Sequence, residues 1–361
     1  MSSFFYFFIF SVFCFVQLQA KPRNRLDTNQ KVDALENSVT TITQTTPVDT
    51  ITIQTASADL VSTPTPTTLS AAAILYKPNI QQSAFALTNN KESSSLPIYG
   101  NIYEASLKWD WGVKLLAAQS FNEQNFTMSA EFTYFRTNGN RAISQPLLTS
   151  VIPLKGTFTD HIYYGRSEVD FKFYNLDVGL SRDYFTSKTL SVKPFIGLKS
   201  TWNDIDEVTF YSHDSLVHQK YSSIEEKSKV WGMGPLGAIT TKWYFCDNVI
   251  FFGKLATSSL YSYKRAFQID EIPSDPGLSF SVFQKYHEFV PYMELDLGFT
   301  LYRLLNQGKQ CLQFTLAYES QYYWGLRRTF SLESFNSVYR SNPISSNVSL
   351  YGVTGTVSIV F

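Results

Sequence analysis

The clearest feature of the chain is a period-two alternation, strongest in residues 103–117. Odd positions carry Tyr103, Ala105, Leu107, Trp109, Trp111, Val113, Leu115 and Ala117. The even positions between them carry Glu104, Ser106, Lys108, Asp110, Gly112, Lys114 and Leu116. A strand turns successive side chains to opposite faces, so one face here is apolar and the other charged. A helix would scatter the charges around its circumference.

The pattern returns along the chain. In 126–134 the apolar face is Phe126, Met128, Ala130, Phe132 and Tyr134, with Glu131 opposite. In 190–202 it is Leu190, Val192, Ile196, Leu198 and Trp202, opposite Lys193 and Lys199. In 287–301 Phe289, Met293, Leu295, Leu297, Phe299 and Leu301 oppose Glu288, Glu294 and Asp296. In 312–324 Leu312, Phe314, Leu316, Tyr318, Tyr322 and Trp324 oppose Gln313, Glu319 and Gln321. Residues 163–182 slip phase: Val169, Phe171 and Phe173 are odd, whereas Leu176, Val178 and Leu180 are even. A β-bulge near Tyr174 would account for the slip. Beyond residue 69 no segment keeps apolar residues at i, i+3, i+4 and i+7 for three turns.

These runs predict strands at 69–88 (kinked), 102–120, 125–137, 163–182, 189–202, 229–245, 248–263, 285–301, 310–324 and 347–361. The expected count is ten, with twelve the alternative if the first element splits and the preceding segment adds a strand. Short connections fall near 121–125, 183–188, 245–248 and 302–309; long polar ones fall near 89–101, 138–161, 203–228, 264–284 and 325–346. Strict alternation of short and long is the habit of transmembrane barrels, with short turns on the periplasmic side and long loops outside. The expected fold is all-β: one transmembrane antiparallel barrel over 69–361.

Composition and the N-terminus change the picture in three ways. Residues 3–17 form an uncharged apolar run followed by Gln19-Ala20 and then Lys21, Arg23 and Arg25. This predicts a signal peptide at 1–20, cleaved after Ala20, with an uncleaved anchor as the alternative. Residues 21–68 are rich in Thr, Ser, Gln and Asn and poor in aromatics, which predicts a flexible leader. The net charge is zero, and no basic cluster stands out, which excludes nucleic acid as the expected partner. Aromatic residues make up 16 %, enough to supply girdles at both membrane interfaces. Trp231, Trp243, Tyr244, Phe245, Tyr322 and Trp324 are the candidates.

The last strand alternates Tyr351, Val353, Gly355, Val357, Ile359 and Phe361 and stops there. An alternating strand ending on an aromatic residue looks like the signal that outer-membrane proteins present to their insertion machinery. That makes Phe361 the candidate insertion signal, with outer-membrane lipid and that machinery as expected partners.

WDWGVKLLAAQSF (109–121), EFTYFRT (131–137), NLDVGLSRDYFTSKTLSVKPFIGLKSTW (175–202), WGMGPLGAITTKWYF (231–245) and QYYWG (321–325) resemble the Legionella–Chlamydiales pore-forming family, whose members are similar to major outer-membrane proteins. The resemblance covers roughly 69–361 and implies a porin-like barrel in the bacterial outer membrane. It implies no catalytic residue. The chain departs from the family in its long Thr-rich leader and in the uncharged start of its signal.

If the apolar face meets lipid, the charged face meets the lumen. Candidate lumen-lining residues are Glu104, Lys108, Asp110 and Lys114, then Glu131, then Lys193, Lys199, Lys242 and Lys254, then Glu288, Glu294, Asp296 and Glu319. The expectation is a partly segregated basic arc and acidic arc. In the first reading the arcs set a transverse field across a water-filled pore and pass small hydrophilic solutes. In the second the charges pair across a narrow lumen and plug it, leaving a structural or surface-interaction barrel. A third reading, a barrel-rim hydrolase, would use His213-Asp214 with Asp204 and Asp206. His161, His213, His218 and His287 form no HExxH pair, and there is no nucleophile elbow, P-loop or dinucleotide fingerprint. No catalytic residue, cofactor or metal is expected. Cys246 and Cys311 both fall at periplasmic strand ends and are a candidate disulfide, linking neighbouring barrels; free thiols are the alternative. A homo-oligomer is the associated expectation.

Overall fold

The computed structural model describes residues 66–88, 100–121, 126–150, 162–215, 218–246, 248–271, 280–306, 309–335 and 338–361. The signal peptide read at 1–20 and the leader up to residue 65 lie outside the described residues. The strands are β1 (Thr67–Ile80), β2 (Ala84–Thr88), β3 (Ile102–Glu104), β4 (Asp110–Phe121), β5 (Phe126–Ser150), β6 (Ile162–Arg182), β7 (Tyr184–Ser187), β8 (Leu190–Ser215), β9 (His218–Cys246), β10 (Val249–Glu271), β11 (Phe280–Leu305), β12 (Gln310–Phe335) and β13 (Val338–Val360). Among the described residues there is no α-helix, and so none that could cross a membrane.

Ten of these strands close on themselves. Antiparallel ladders join β1 to β4, β4 to β5, β5 to β6, β6 to β8, β8 to β9, and onward in order to β13. The ladder β13–β1 shuts the ring. At its lower edge the Thr67 N–H donates to the Phe361 carbonyl at 2.9 Å, and the Phe361 N–H returns to Thr67 at 3.0 Å. Strands β2 and β3 form a small annex on β5, and β7 continues β6 against β8 beyond Asp183.

The register gives the size of the ring. One row of cross-strand partners runs Phe289–Tyr261–Met233–Ser200–Leu176–Phe132–Leu115–Ala71–Val357–Phe314–Leu301. It leaves β11 at residue 289 and returns to β11 at residue 301, a stagger of 301 − 289 = 12 residues. Ten strands with that stagger tilt by about 40°, and at ~4.8 Å spacing the wall lies about 10 Å from the axis. Two long side chains from opposite walls can therefore meet.

The faces invert partway up each long strand. On β8, Ile196 and Leu198 point outward and are 72 % and 56 % exposed, while Lys199 points inward and is fully buried. Higher on the same strand Ile205 and Tyr211 are the buried inward residues, and Asp204 and Asp206 face out. The same exchange occurs on β6, where Val169, Phe171 and Phe173 are buried inside and Leu180 is exposed outside. Lower segments have lipid outside and charge inside. Upper segments have water outside and an apolar core inside. The stretch from Trp231 to Trp243, at ~3.3 Å per residue and ~40° tilt, rises about 30 Å, which suits a membrane's hydrocarbon thickness.

Three expectations are corrected by this geometry. The slip in 163–182 is no bulge: β6 keeps one register with β5 from Arg182 to Tyr164, and odd residues face inward throughout. The apolar set changes parity because the surroundings change, not the backbone. The long polar connections are largely ladder: β8 and β9 stay paired to Ser215↔His218, and β12 and β13 to Phe335↔Val338. Their alternation persists with its faces exchanged. Finally, 102–120 is not one strand. Between β3 and β4 only Leu107 keeps an isolated bridge, to Gly139, and it is buried in the upper core instead of facing lipid.

Leu297, outward and near mid-height on β11, tests which face meets lipid. Leu297→Arg is expected to lower the unfolding free energy by ~2–4 kcal/mol in lipid vesicles, read by denaturant titration of tryptophan emission. Lys227→Ala, on the water-facing part of β9, should change it by less than ~0.5 kcal/mol. Equal effects would contradict the inversion.

Candidate functional site: the barrel lumen

Inward positions of the lower strands build a layer of paired charge. The Lys114 ammonium donates to both Glu319 oxygens at 2.9 Å and lies 3.4 Å from Glu131. Lys199 donates to Asp177 at 3.1 Å. Lys254 sits between Glu294 at 2.5 Å and Asp296 at 3.3 Å. Nearer the short turns, Lys193 and Lys242 share Asp183 at 3.5 and 3.4 Å. Thr354 and Gln321 add donors to Glu319, and the Tyr292 hydroxyl donates to Glu294. A buried charge is tolerable only with such partners, since each ion taken from water is costly to leave alone.

Above the charges lies a layer of rings. Phe173 on β6 meets Tyr323 on β12 edge to face, with centroids 5.9 Å apart. In the closed order these strands are five steps apart in either direction, so the contact joins opposite walls. Tyr292 packs at a tilt against Tyr323, with centroids 4.6 Å apart, and the Lys199 ammonium sits 4.1 Å from the Tyr292 ring, a cation–π contact across three strands. Phe135, Phe171, Phe173 and Tyr323 are fully buried. The lumen is thus filled at this level by side chains from all sides.

A second ion cluster lies higher, in the projecting part of the barrel. Gly325 adopts φ 66°, a conformation that favours glycine, and the β12–β13 register shifts between Tyr323 and Arg327. The Gly325 N–H donates to Asn347 Oδ1 at 2.8 Å, and its carbonyl accepts from Lys264. The bulge turns both Leu326 and Arg327 inward. Arg327 then reaches Glu207 at 2.5 Å and Glu226 at 2.8 Å, tying β12 to β8 and β9 across the barrel. Below this cluster Glu288 holds Lys264 at 2.7 Å and Arg328 at 2.9 Å.

Most of the lumen residues read from the sequence do face inward, and they meet in pairs. Two do not belong to the wall: Glu104 is exposed on the annex strand β3, and Lys108 is exposed in the segment before β4. Asp110 begins β4 and accepts the Trp111 N–H at 2.9 Å. The separate arcs are corrected too, because Asp177 and Asp183 stand among the lysines of β8 to β10. Sequence reasoning missed both, together with Glu207, Glu226 and Arg327. Unbroken odd parity through 163–182 was the signal for Asp177. Trp231, Phe245 and Trp324 face outward as girdle residues, whereas Tyr244 turns inward to Ser191 at 3.4 Å. Phe361 ends the ring and is 43 % exposed. Both Cys246 and Cys311 are free thiols, and Cys311 is fully buried against Val360 and Tyr302. The His213, Asp214 and His218 side chains and all of His161 lie outside the described residues; Asp204 and Asp206 face outward.

Beneath the charged layer, a vestibule of about 260 Å³ is lined by Ser70, Lys114, Ser120, Glu131, Asp183 and Lys193 among others. One oxygen each of Glu294, Asp296 and Glu319 lie within 4.8 Å of one another, a spacing that would suit a cation. Lys114 and Lys254 already supply counter-charge there.

The upper cluster titrates. Burial pushes Asp270 up to about 7. Burial, with the Glu207 and Asp270 carboxylates, outweighs Arg327 and pushes Glu226 up to about 7. Both bind protons more tightly folded than unfolded, where a carboxylate titrates near ~4. The stability they confer is therefore fully present below ~4 and is lost as pH rises through about 7. Amide exchange in the upper ladders of β9 and β10, corrected for intrinsic rate, should quicken between about pH 5 and about pH 8, and Asp270→Asn should flatten the change. An unchanged profile in that variant would remove Asp270 from the titration.

No curated protein matches the chain. Among solved structures it is similar to the outer membrane protease OmpT from Escherichia coli, at 10 % identity and a TM-score of 0.41, covering 83 % of this chain and 97 % of that one. It is also similar to the toluene transporter TodX from Pseudomonas putida, at 10 % identity and 0.33, covering 85 % and 93 %. A third is the translocator domain of the autotransporter NalP from Neisseria meningitidis, at 10 % identity and 0.31, covering 92 % and 96 %. At such identities and TM-scores no residue role or activity transfers. The family comparison reaches further, for the model of the Legionella pneumophila major outer membrane protein precursor matches residues 62–361. A closed ring of alternating strands with lipid-facing apolar walls and that match over most of its length leave one conclusion: the chain belongs to this major outer membrane protein family and lies in the bacterial outer membrane.

Proposed function

We propose that this protein is a closed, non-enzymatic outer-membrane barrel whose function lies in its walls and projecting hairpins. The observation that carries this reading is the Phe173–Tyr323 contact between opposite walls, set directly above the paired lysines and acids. By the barrel rule that short turns face the periplasm, the long hairpins β5–β6, β8–β9, β10–β11 and β12–β13 extend outside the cell. They present a stiff, water-facing surface. Phe361 completes the ring and is the feature offered to the insertion machinery.

Porin-like diffusion of small hydrophilic solutes is the second reading. The polar vestibule favours it, since its lining reaches Lys114 and Glu131 from the short-turn side. Opening would then require the ring layer to move aside.

Single-channel recording of residues 21–361 refolded into a planar bilayer separates the two. The closed barrel gives no stable steps, while Phe173→Ala with Tyr323→Ala opens a conducting path. Heat-modifiable migration shows whether that variant is folded, since each truncation costs about 3–5 kcal/mol. Stable steps from the unaltered chain, with selectivity altered by Glu294→Lys, would instead establish diffusion.

A further inference from the structure

We infer that the outward wall at β8–β10 holds a binding site for a phosphate-bearing, multiply acylated glycolipid of the outer leaflet. The site begins as an aromatic row on adjacent strands: Tyr134, Tyr174, Trp202, Trp231, Tyr263 and His287 are successive cross-strand partners. Two residues further up each strand runs a second row: Arg136, Lys172, Asp204, Lys229, Arg265 and Lys285. Both rows are outward, at the level where the strand faces exchange lipid for water. Between them lies a groove of about 420 Å³ lined by Phe132, Tyr174, Trp202, Trp231 and Tyr263, with Lys229 and Arg265 at its upper edge.

Among the described residues the cations at the β9–β11 end of the upper row are poorly balanced. At the β5–β6 end of this row the cations are paired closely, Arg136 and Lys172 sharing Asp170 at 3.1 and 3.2 Å, and two residues above Lys229 on β9 Lys227 meets Glu225 at 2.5 Å. Lys229, Arg265 and Lys285, by contrast, stand directly opposite one another on β9, β10 and β11. Like charges so placed are destabilising. Lys229 has only Asp204, at 4.0 Å, and among the described residues no carboxylate lies within ion-pair distance of Arg265. Lys285 lies over the Phe283 ring at 5.6 Å. An anion placed between Lys229 and Arg265 turns the repulsion into two charge-assisted contacts, and a guanidinium fork suits a phosphate. The ring floor beneath it suits acyl chains and sugar faces, so the complementary occupant carries phosphate above several chains. A free phosphate would leave that floor unused.

The test uses the full mature chain, folded in neutral detergent and stripped of lipid. The probes are deep-rough lipopolysaccharide, the same lipid after enzymatic removal of its phosphates, and inorganic phosphate. The expected result is that the phosphorylated lipid binds and raises the melting temperature, while the other two do not. Lys229→Gln with Arg265→Gln should weaken that binding about 30-fold. The same variant should be as stable as the parent or more so without lipid, because opposed cations are gone. Lys188→Gln, in the exposed turn at the other end of the barrel, is the control and should bind as the parent does. Equal binding by parent and double variant, or by both forms of the lipid, would overturn the site. A melting shift with inorganic phosphate alone would reduce it to an ion site and overturn the lipid assignment.

Discussion

No backbone N–H or C=O can be left unpaired in hydrocarbon, so a sheet that crosses a membrane must have no edge. In this protein β1 supplies that closure, bonding to β4 on one side and β13 on the other, with Thr67 and Phe361 exchanging bonds at the seam. Closure at ten strands and a stagger of twelve sets the wall about 10 Å from the axis. The state of the lumen follows. At that radius Phe173 and Tyr323 touch from opposite sides, and Lys114 reaches Glu319 over three strands. Once side chains meet, every inward charge needs a partner of its own, and the interior becomes a network with specific pairs.

Each long strand serves two media. In the lower part, lipid solvates the outer face, and the lumen takes the polar residues. In the upper part, water solvates the outer face, and the lumen becomes an ordinary core of Ile205, Tyr211, Ile224 and Phe171. The exchange occurs within the continuous hairpin ladders β8–β9 and β10–β11, so these hairpins extend the membrane barrel without a break, whereas the β11–β12 ladder ends at Tyr292↔Tyr323. Arg327, turned inward by the Gly325 bulge, ties β12 to β8 and β9.

The alternation in the sequence was enough to identify strands, count ten of them and place Lys114, Glu131, Lys199, Lys254, Glu294, Asp296 and Glu319 inside, because parity alone decides a side chain's face. It failed where parity and environment part company. Val169, Phe171 and Phe173 looked like lipid-facing residues of a slipped strand, and that hid Asp177 two turns of the pleat below. Glu104 and Lys108 continued the alternation of β4 on paper, although the wall begins at Asp110. Which charges pair across the barrel was not legible at all. That depends on stagger and radius, which are properties of the closed ring and not of any strand.

The buried ion pairs of the lower lumen have a rationale beyond holding the fold. A ten-stranded interior could be filled with apolar side chains, and such a filling is often no less stable than paired ions. But β8 already carries Val192, Ile196, Leu198 and Trp202 on its outer face. With Lys193 and Lys199 also apolar, residues 189–203 would carry no charge at all, a step toward the uncharged apolar run of a helical span. A chain that must cross one membrane in extended form to reach another is better served by a charge every few residues. Lys199, fully buried yet paired with Asp177 and seated on Tyr292, keeps that interruption in the sequence while its own charge is compensated in the folded barrel.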